Sequence, residues 1–489
     1  MPNPDTYGIY LHIPYCRSKC RYCDFYSAPG TRGVPDEYVT ALLRELSKSS
    51  RRPDTLYFGG GTPALLRPDQ VHRLIKAAAP LPGAEITLEA NPDVVTPENL
   101  AGFAAAGVTR ISFGVQSADD AQLRRLGRTH TAAAAAQAFA WAREAGFREI
   151  CGDIMLALPY YSIAEFDKTL ALLQAGGCTH ISAYLLKIEP GTAFGRNPPP
   201  GLPDADAAAE FYLYAVQRLA QEGYRQYEIS NFACPGHEGR HNLLYWNCKD
   251  YWGIGPAAHS CLGSVRRFWP NDTAAFIAGT VQEQYEGPCN AEDYLIMQLR
   301  LCSGLNLTEY AARYGVRFDA GQMAFLRHCA ASGYAVLDGD TLRLTPSGMI
   351  VQNAILEELK MTGMVSDEEE IIQLLDKDFT DKSKVLPVAK KKDGSFTQAS
   401  SVLSQEDFHV VSDYVNHKIR ELGSEILAGD IALNPYKQTK GNACTYCSYR
   451  SICGFDGKLG ADLVRELQDM DQEEALDEMK KELEEEPWQ

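Results

Sequence analysis

Tyr10-Leu-His-Ile-Pro-Tyr-Cys16-Arg-Ser-Lys-Cys20-Arg-Tyr22-Cys23-Asp-Phe25 sets three cysteines at spacings of four and three residues, directly after an apolar run. Free thiols have no packing reason to gather on a loop that also carries Arg and Lys. The spacing therefore points to a metal site rather than to three unrelated core cysteines. Four thiolates would close a zinc tetrahedron or an iron–sulfur cluster, whereas three leave one coordination position open to a substrate.

Working outward, the apolar run reads as a strand, Gly8–Ile13, and five more β-type runs follow at Thr55–Phe58, Glu85–Glu89, Arg110–Val115, Ile150–Leu156 and His180–Leu186. Helical patterns such as Glu37–Lys48, Pro68–Ala78, Pro97–Ala106, Ala132–Ala145 and Ile163–Ala175 fall between them. Six βα units in series predict an α/β fold with a parallel sheet, a partial (β/α)6 barrel, whose ligand site forms at the carboxyl ends of the strands. Gly59-Gly60-Gly61-Thr62-Pro63 stands at one such end, and Glu89-Ala-Asn91-Pro92 at the next. Asp153 lies inside the apolar run Ile150–Leu156, where an acid needs a polar partner.

The chain has 489 residues, 45% hydrophobic and 23% charged, with a net charge of −17. That length predicts several domains, and the negative charge argues against nucleic acid as a partner. The opening Met-Pro-Asn-Pro-Asp-Thr does not resemble a secretion signal, and no apolar run is long enough to span a bilayer, so a cytoplasmic protein without a transmembrane segment is expected. Fourteen cysteines over this length fit metal ligands and core thiols better than a disulfide scaffold. Residues 361–489 hold 15 Lys and Arg against 27 Asp and Glu, a net −12, which leaves −5 for residues 1–360. The tail is thus a compositionally separate piece.

Together, the cysteine motif, the Gly59–Gly61 strand end and Glu89-Ala-Asn91-Pro92 resemble the radical S-adenosyl-L-methionine (SAM) superfamily. The family around oxygen-independent coproporphyrinogen III oxidase is most similar, over residues 7–360. The resemblance implies that Cys16, Cys20 and Cys23 hold a [4Fe-4S] cluster whose fourth iron is chelated by SAM, and that an electron donor reduces the cluster. It further implies SAM contacts at Tyr10, Tyr22, Gly60, Gly61, Thr62, Glu89, Gln116, Arg128 and Asp153. For Arg128 a solvated helix-face arginine is the competing reading. Ala157-Leu-Pro-Tyr160-Tyr161 departs from the family's usual Gly-Leu-Pro-Gly-like turn.

The oxidase carries a fourth cysteine two residues after the third, where this chain has Phe25. Phe25 and His241-Asn242-Leu-Leu-Tyr245-Trp246 resemble instead the family's heme-chaperone branch. That implies heme as ligand and hemoproteins as recipients, with His241 as the heme contact and His259 and His237 as weaker candidates; the competing reading of His241 is a hydrogen-bonded structural histidine. Radical decarboxylation of coproporphyrinogen III, and a scaffold whose cluster is only structural, stand as alternative functions.

Four regions are expected: a radical SAM core at 1–200, an accessory heme-binding segment at 201–288, a small helical winged-helix-like module at 289–360, and an α+β tail at 361–489. The tail, with Gly429-Asp430-Ile-Ala-Leu-Asn434-Pro435-Tyr436 and Cys444, Cys447 and Cys453, resembles the C-terminal end of the B subunit of the helicase/nuclease AddAB. In that family these cysteines, with another far upstream, bind a second [4Fe-4S] cluster. The upstream cysteine and the nuclease motifs are missing here, so an incomplete cluster and no nuclease activity are expected. Ser404 and Asp407 are positioned to cap a helix, and the acidic run from Asp469 reads as a solvated helix or loose tail. A fusion and a misassembled reading frame both account for the junction near residue 360.

Overall fold

The computed structural model describes residues 6–28 and 33–359, and then short stretches between 365 and 485. The chain divides into two units, 1–360 and 361–489.

All six expected strands form: β1 (Tyr7–Ile13), β2 (Thr55–Gly60), β3 (Glu85–Ala90), β4 (Arg110–Gln116), β5 (Glu149–Leu156) and β6 (His180–Leu185). Each pairs parallel with the next in sequence order. Crossover helices Asp36–Leu46, Pro68–Ala78, Pro97–Ala106, Ala132–Glu144 and Ile163–Gly176 stand close to the expected ranges. Side-chain caps start three of them: Thr96, Thr131 and Ser162 each accept a backbone N–H three residues on. A short helix, Asp120–Leu126, is additional.

The segment 201–288 extends this same sheet at both edges. β7 (Arg225–Glu228) and β8 (Asn231–Ala233) add antiparallel strands beyond β6. On the other side β9 (Asp250–Ile254) pairs parallel with β1 as a seventh parallel strand. The antiparallel strands β10 (His259–Leu262), β11 (Val265–Phe268) and β12 (Gln284–Pro288) complete that edge. The twelve strands run in one open order, so the sheet is a partial barrel.

Alternation along the parallel strands decides where the site can be. Leu56, Phe58, Leu88, Ile111, Phe113, Ile150 and Ile154 are buried in the apolar core with the helices. The positions between them, Tyr57, Thr87, Glu89, Ser112, Cys151, Asp153 and Ser182, are polar or polarisable and line the opposite, inner face. Parallel strands buried on both faces usually read as continuous apolar runs. Here the polar inner face marks a cavity rather than a second core.

Residues 289–359 form the expected module. The helices Ala291–Leu299, Leu307–Tyr314 and Ala320–Ala331 accompany a small sheet of β13 (Leu305–Asn306), β14 (Ala335–Asp338) and β15 (Thr341–Leu344). Its turn uses Gly339 at φ +56°. Leu295, Leu299, Leu326, Leu342 and Leu344 give it a core of its own.

In the second unit, Val365–Ser366 pairs with Val402–Leu403, and Tyr436–Gln438 pairs with Gly441–Asn442 and Arg465–Glu466. Ser404 caps as expected, accepting the Asp407 N–H at 3.1 Å and donating to its carboxylate at 2.7 Å. The acidic run forms a helix, Gln472–Glu485, that is not merely solvated: Leu476 is buried, and the Tyr414 hydroxyl donates to Glu482 at 3.0 Å. Cys444, Cys447 and Cys453 lie outside the described residues.

Candidate cofactor site

The cysteine loop leaves β1 and is closed at its base. The Cys16 N–H donates to Ala28 O at 3.1 Å, and the Ala28 N–H to Pro14 O at 2.8 Å. At its tip, the Arg21 N–H donates to Leu126 O at 3.0 Å, and Arg21 O accepts from the Phe194 N–H at 2.8 Å. These bonds hold the loop over the carboxyl ends of the strands. There Cys16, Cys20, Cys23 and Tyr22 line a cavity of about 420 Å³ together with Gly60, Gly61, Thr62, Glu89, Gln116, Arg128 and Asp153. Eleven of the thirteen residues expected at the cluster, SAM and heme sites of this half therefore share one cavity.

The glycines at the end of β2 serve close packing within the chain. A Cβ on Gly61 would stand 2.6 Å from Tyr15 O, and one on Gly59 2.7 Å from the Tyr10 ring; Gly60 takes φ +112°. That conformation turns the Gly60 N–H onto Glu89 Oε2 at 3.2 Å, while the Tyr57 hydroxyl donates to Oε1 at 2.7 Å. Burial raises the Glu89 carboxyl to about 7, against these two hydrogen bonds. Asp153 finds the polar partners that its strand position demanded. Ser112 Oγ stands 3.2 Å from each of its oxygens, and Ser182 also bonds it; burial still lifts it to about 6.

Arg128 is not a solvated arginine. Its Nη2 donates to Asn91 Oδ1 at 2.7 Å and also to Gly114 O, and its Nη1 approaches Cys20 Sγ at 3.5 Å. Asn91 Nδ2 in turn donates to Thr62 Oγ1 at 3.2 Å, and Thr62 lies 3.6 Å from Cys16 Sγ. A polar chain thus ties two of the three cysteines together across the cavity floor. Asn91, Tyr57, Ser112 and Ser182 complete the site. Asn91 and Ser112 were readable in principle, standing two positions from Glu89 and Gly114 on the same strand faces.

Two of the expected contact residues stand apart from this cavity. Tyr10 does not line the cavity: its hydroxyl bonds His12 Nδ1 at 3.1 Å, and its ring stacks beside Tyr57 at 6.0 Å. His241 lies at the other end of the strands, 1% exposed, with both ring nitrogens engaged by the Thr55 hydroxyl at 2.7 Å and the Tyr245 hydroxyl at 2.6 Å. Burial lowers this ring to about 3 and keeps it neutral. His237 is paired with Glu149 at 2.8 Å and His259 with Glu286 at 3.5 Å.

The amino ends of the strands are closed by polar groups that pair with one another. Arg110 reaches Glu85 at 3.3 Å and Glu149 at 3.4 Å, and donates to His237 O at 2.8 Å. Glu85 accepts the Arg240 and His241 N–H groups at 3.1 and 3.0 Å, fixing the start of the helix Arg240–Trp246.

The residues present at the open end fit a cluster and SAM. Cys16, Cys20 and Cys23 supply a sulfur-only donor set, with Thr62 and Arg128 directed at two of the sulfurs. Among the described residues no three His, Cys, Asp or Glu side chains converge on a single ion; a cluster instead takes one iron per thiolate. Gln116, 9% exposed and at φ +68°, directs an unpartnered Oε1 into the cavity wall. Two buried carboxyls with raised affinities for protons suit a ligand that brings positive charge, as the amine and sulfonium of SAM do. When bound, the cluster supplies an open iron and one electron for SAM.

Residues 10–173 match the Radical SAM superfamily, residues 290–351 the HemN C-terminal domain, and residues 333–454 the PD-(D/E)XK nuclease superfamily. The sheet and module are similar in fold to coproporphyrinogen III oxidase (HemN) of Escherichia coli, a radical SAM enzyme. The TM-score is 0.63 at 21% identity, over 73% of this chain and 90% of that one. The chain is 35% identical over 377 residues to the heme chaperone HemW of Mycobacterium tuberculosis, covering 72% of this chain and 94% of the relative. It is 36% identical over 368 residues to HemW of Escherichia coli, covering 72% and 97%. With identity sustained over nearly the whole of both relatives, the chain belongs to the HemW family of the radical SAM superfamily.

Proposed function

We propose that the chain is a heme chaperone: it binds a [4Fe-4S] cluster and SAM at the open end of its sheet, accepts reducing equivalents from an electron donor, and delivers heme to cytoplasmic hemoproteins. The observation that carries this reading is the identity to HemW, which covers 94% of the relative from Mycobacterium tuberculosis. Phe25 supports it too, because the oxidase-like reading requires a cysteine there.

For heme we assign His241 as the iron contact, reached when Tyr245 releases Nε2. A neutral imidazole is the form that ligates iron, and burial keeps His241 neutral. The Thr55 hydroxyl at Nδ1 would continue to orient the ring. Tyr245→Phe frees Nε2 without deleting the ring and is expected to tighten heme binding by about tenfold, whereas His241→Ala weakens it and shifts the Soret band. Unchanged Soret titrations in both variants would remove His241 from the heme site. Incubating the reduced protein with SAM and coproporphyrinogen III separates the readings: heme capture without protoporphyrinogen formation supports the chaperone, and product formation supports the oxidase.

A further inference from the structure

Behind the cofactor cavity lies a second space of about 50 Å³, and the two share Glu89, Asp153 and Tyr184 in their walls. Strand alternation builds it. Glu89, Ser112, Asp153 and Ser182 form the layer beneath the open end. Two residues back along the same strands, on the same face, stand Thr87, Arg110, Cys151 and His180. The far end of the space reaches Gly239 and Asn242, at the start of the helix Arg240–Trp246. Its lining therefore extends from the acids of the open end to the closed end of the sheet.

Three buried polar atoms of this lining have no hydrogen-bond partner among the described residues: Thr87 Oγ1, Arg110 Nε and His180 Nδ1. None of the three residues is more than 4% exposed. Arg110 Nη1 and Nη2 are bonded to Cys151 Sγ and His237 O, but Nε, 3.3 Å from Glu85, makes an ion-pair contact without hydrogen-bond geometry. The proton of His180 follows from its neighbour. The Tyr227 hydroxyl oxygen accepts the Gly239 N–H at 3.2 Å and lies 2.8 Å from His180 Nε2, so the hydroxyl proton goes to Nε2. Burial, and then Arg110, lowers His180 to about 3, and the neutral ring carries its proton on Nδ1. Two N–H donors and a hydroxyl thus stand on one side of the space, and the oxygens of two carboxyls on the other.

Size and charge select the ligand. At about 10–15 Å³ for each water, the space holds about three to four. Glu85 is matched by Arg110, which leaves Glu89 and Asp153, with Arg128 acting on Asp153 from the front cavity. The remaining titratable groups that face the space are neutral: burial raises Tyr57, Cys151 and Tyr184 and lowers His241. An anion would meet two acids. Water accepts from the donors and donates to the acids. We propose that this space is a water site: a short chain of ordered waters, anchored by Thr87, Arg110 and His180, that donates hydrogen bonds to the Glu89 and Asp153 carboxylates. Thr87 and His180 are then positioning residues, which act on the two acids through water.

The test uses the full chain after anaerobic cluster reconstitution. A high-resolution crystal structure should show ordered waters within about 3.2 Å of Thr87 Oγ1, Arg110 Nε and His180 Nδ1. A single anion there, or no density at the three atoms, overturns the site. Infrared titration then follows the protonated-carboxyl bands, assigned with Glu89→Gln and Asp153→Asn. Thr87→Leu puts apolar bulk into the space, so the carboxylates lose water donors and their midpoint should rise by about one pH unit. Thr87→Val keeps the side chain's shape and should lose the water at that position, with a smaller rise in the same direction; it carries the test where Thr87→Leu does not fold. Midpoints equal to the parent's in the folded variants overturn the action of the waters on the two acids.

Discussion

At the carboxyl ends of β1–β6, polar groups face a cavity of about 420 Å³, and the two carboxyls deepest in its wall, Glu89 and Asp153, are held near 7 and 6. At the amino ends of the same strands, Glu85, Glu149, Arg110 and His241 are as polar, but each has its partner within 3.4 Å inside the protein. Among the described residues neither of these two carboxyls has an ion pair of its own, although Arg128 shares the cavity, and the pair is suited to positive charge brought by a ligand. The closed end supplies its own charge and holds the sheet together. Sequence neighbours on one strand therefore serve different tasks: Glu85 fixes a helix start, and Glu89, four residues on, faces the cavity.

The sharpest contrast should come from removing one group at each end. Cys20→Ala at the open end should reduce the first cluster's irons from about four to near zero, while the apo protein's stability changes by less than about 1 kcal/mol. About eight irons in the parent would mean that the tail holds a second cluster. Arg110→Met at the closed end leaves Glu85 and Glu149 without their cation and should cost about 3–5 kcal/mol, seen as a large fall in the thermal midpoint. Iron loading of the molecules that remain folded should not change. Equal thermal midpoints for the two variants would break the comparison.

A smaller effect concerns pH. Glu89 and Asp153 have folded values raised above those of the unfolded chain, so the folded state binds the extra protons, and their contribution to apo stability declines as pH rises from about 4 to about 7. Glu89→Gln should therefore stabilise the apo protein at pH 8 by about 2–3 kcal/mol and flatten that decline. Parallel stability–pH curves for variant and parent would contradict the raised Glu89. Smallest of all, Tyr10→Phe loses one hydrogen bond, to His12, at a cost of about 1 kcal/mol. SAM affinity should be unaltered, because Tyr10 is off the cavity wall; a tenfold weaker SAM titration would return it to the site.

Much of the open end was legible in the sequence, because its chemistry is local. Three cysteines in one loop, a glycine strand end and single acids within apolar strands are each complete over a few residues. The closed end was not, because its partners are far apart along the chain: Thr55 and His241 are separated by 186 residues, and Arg110 and His237 by 127. A histidine next to Tyr and Trp looks the same in sequence whether its nitrogens are free or bonded. The strands of residues 201–288 were missed for a related reason. Short edge pieces such as Asn231–Ala233 carry too few residues to show a period of two, and they become strands only through the sheet that they join.

On the proposal that His241 contacts heme, cofactor chemistry and heme capture occupy opposite ends of one sheet. Heme titration of a Cys16→Ala, Cys20→Ala, Cys23→Ala variant tests it most directly, with iron counted in the same samples. Near-zero cluster iron is expected together with a Soret titration that matches the parent in stoichiometry and affinity. Loss of heme capture along with the cluster, in a variant that remains folded, would contradict it.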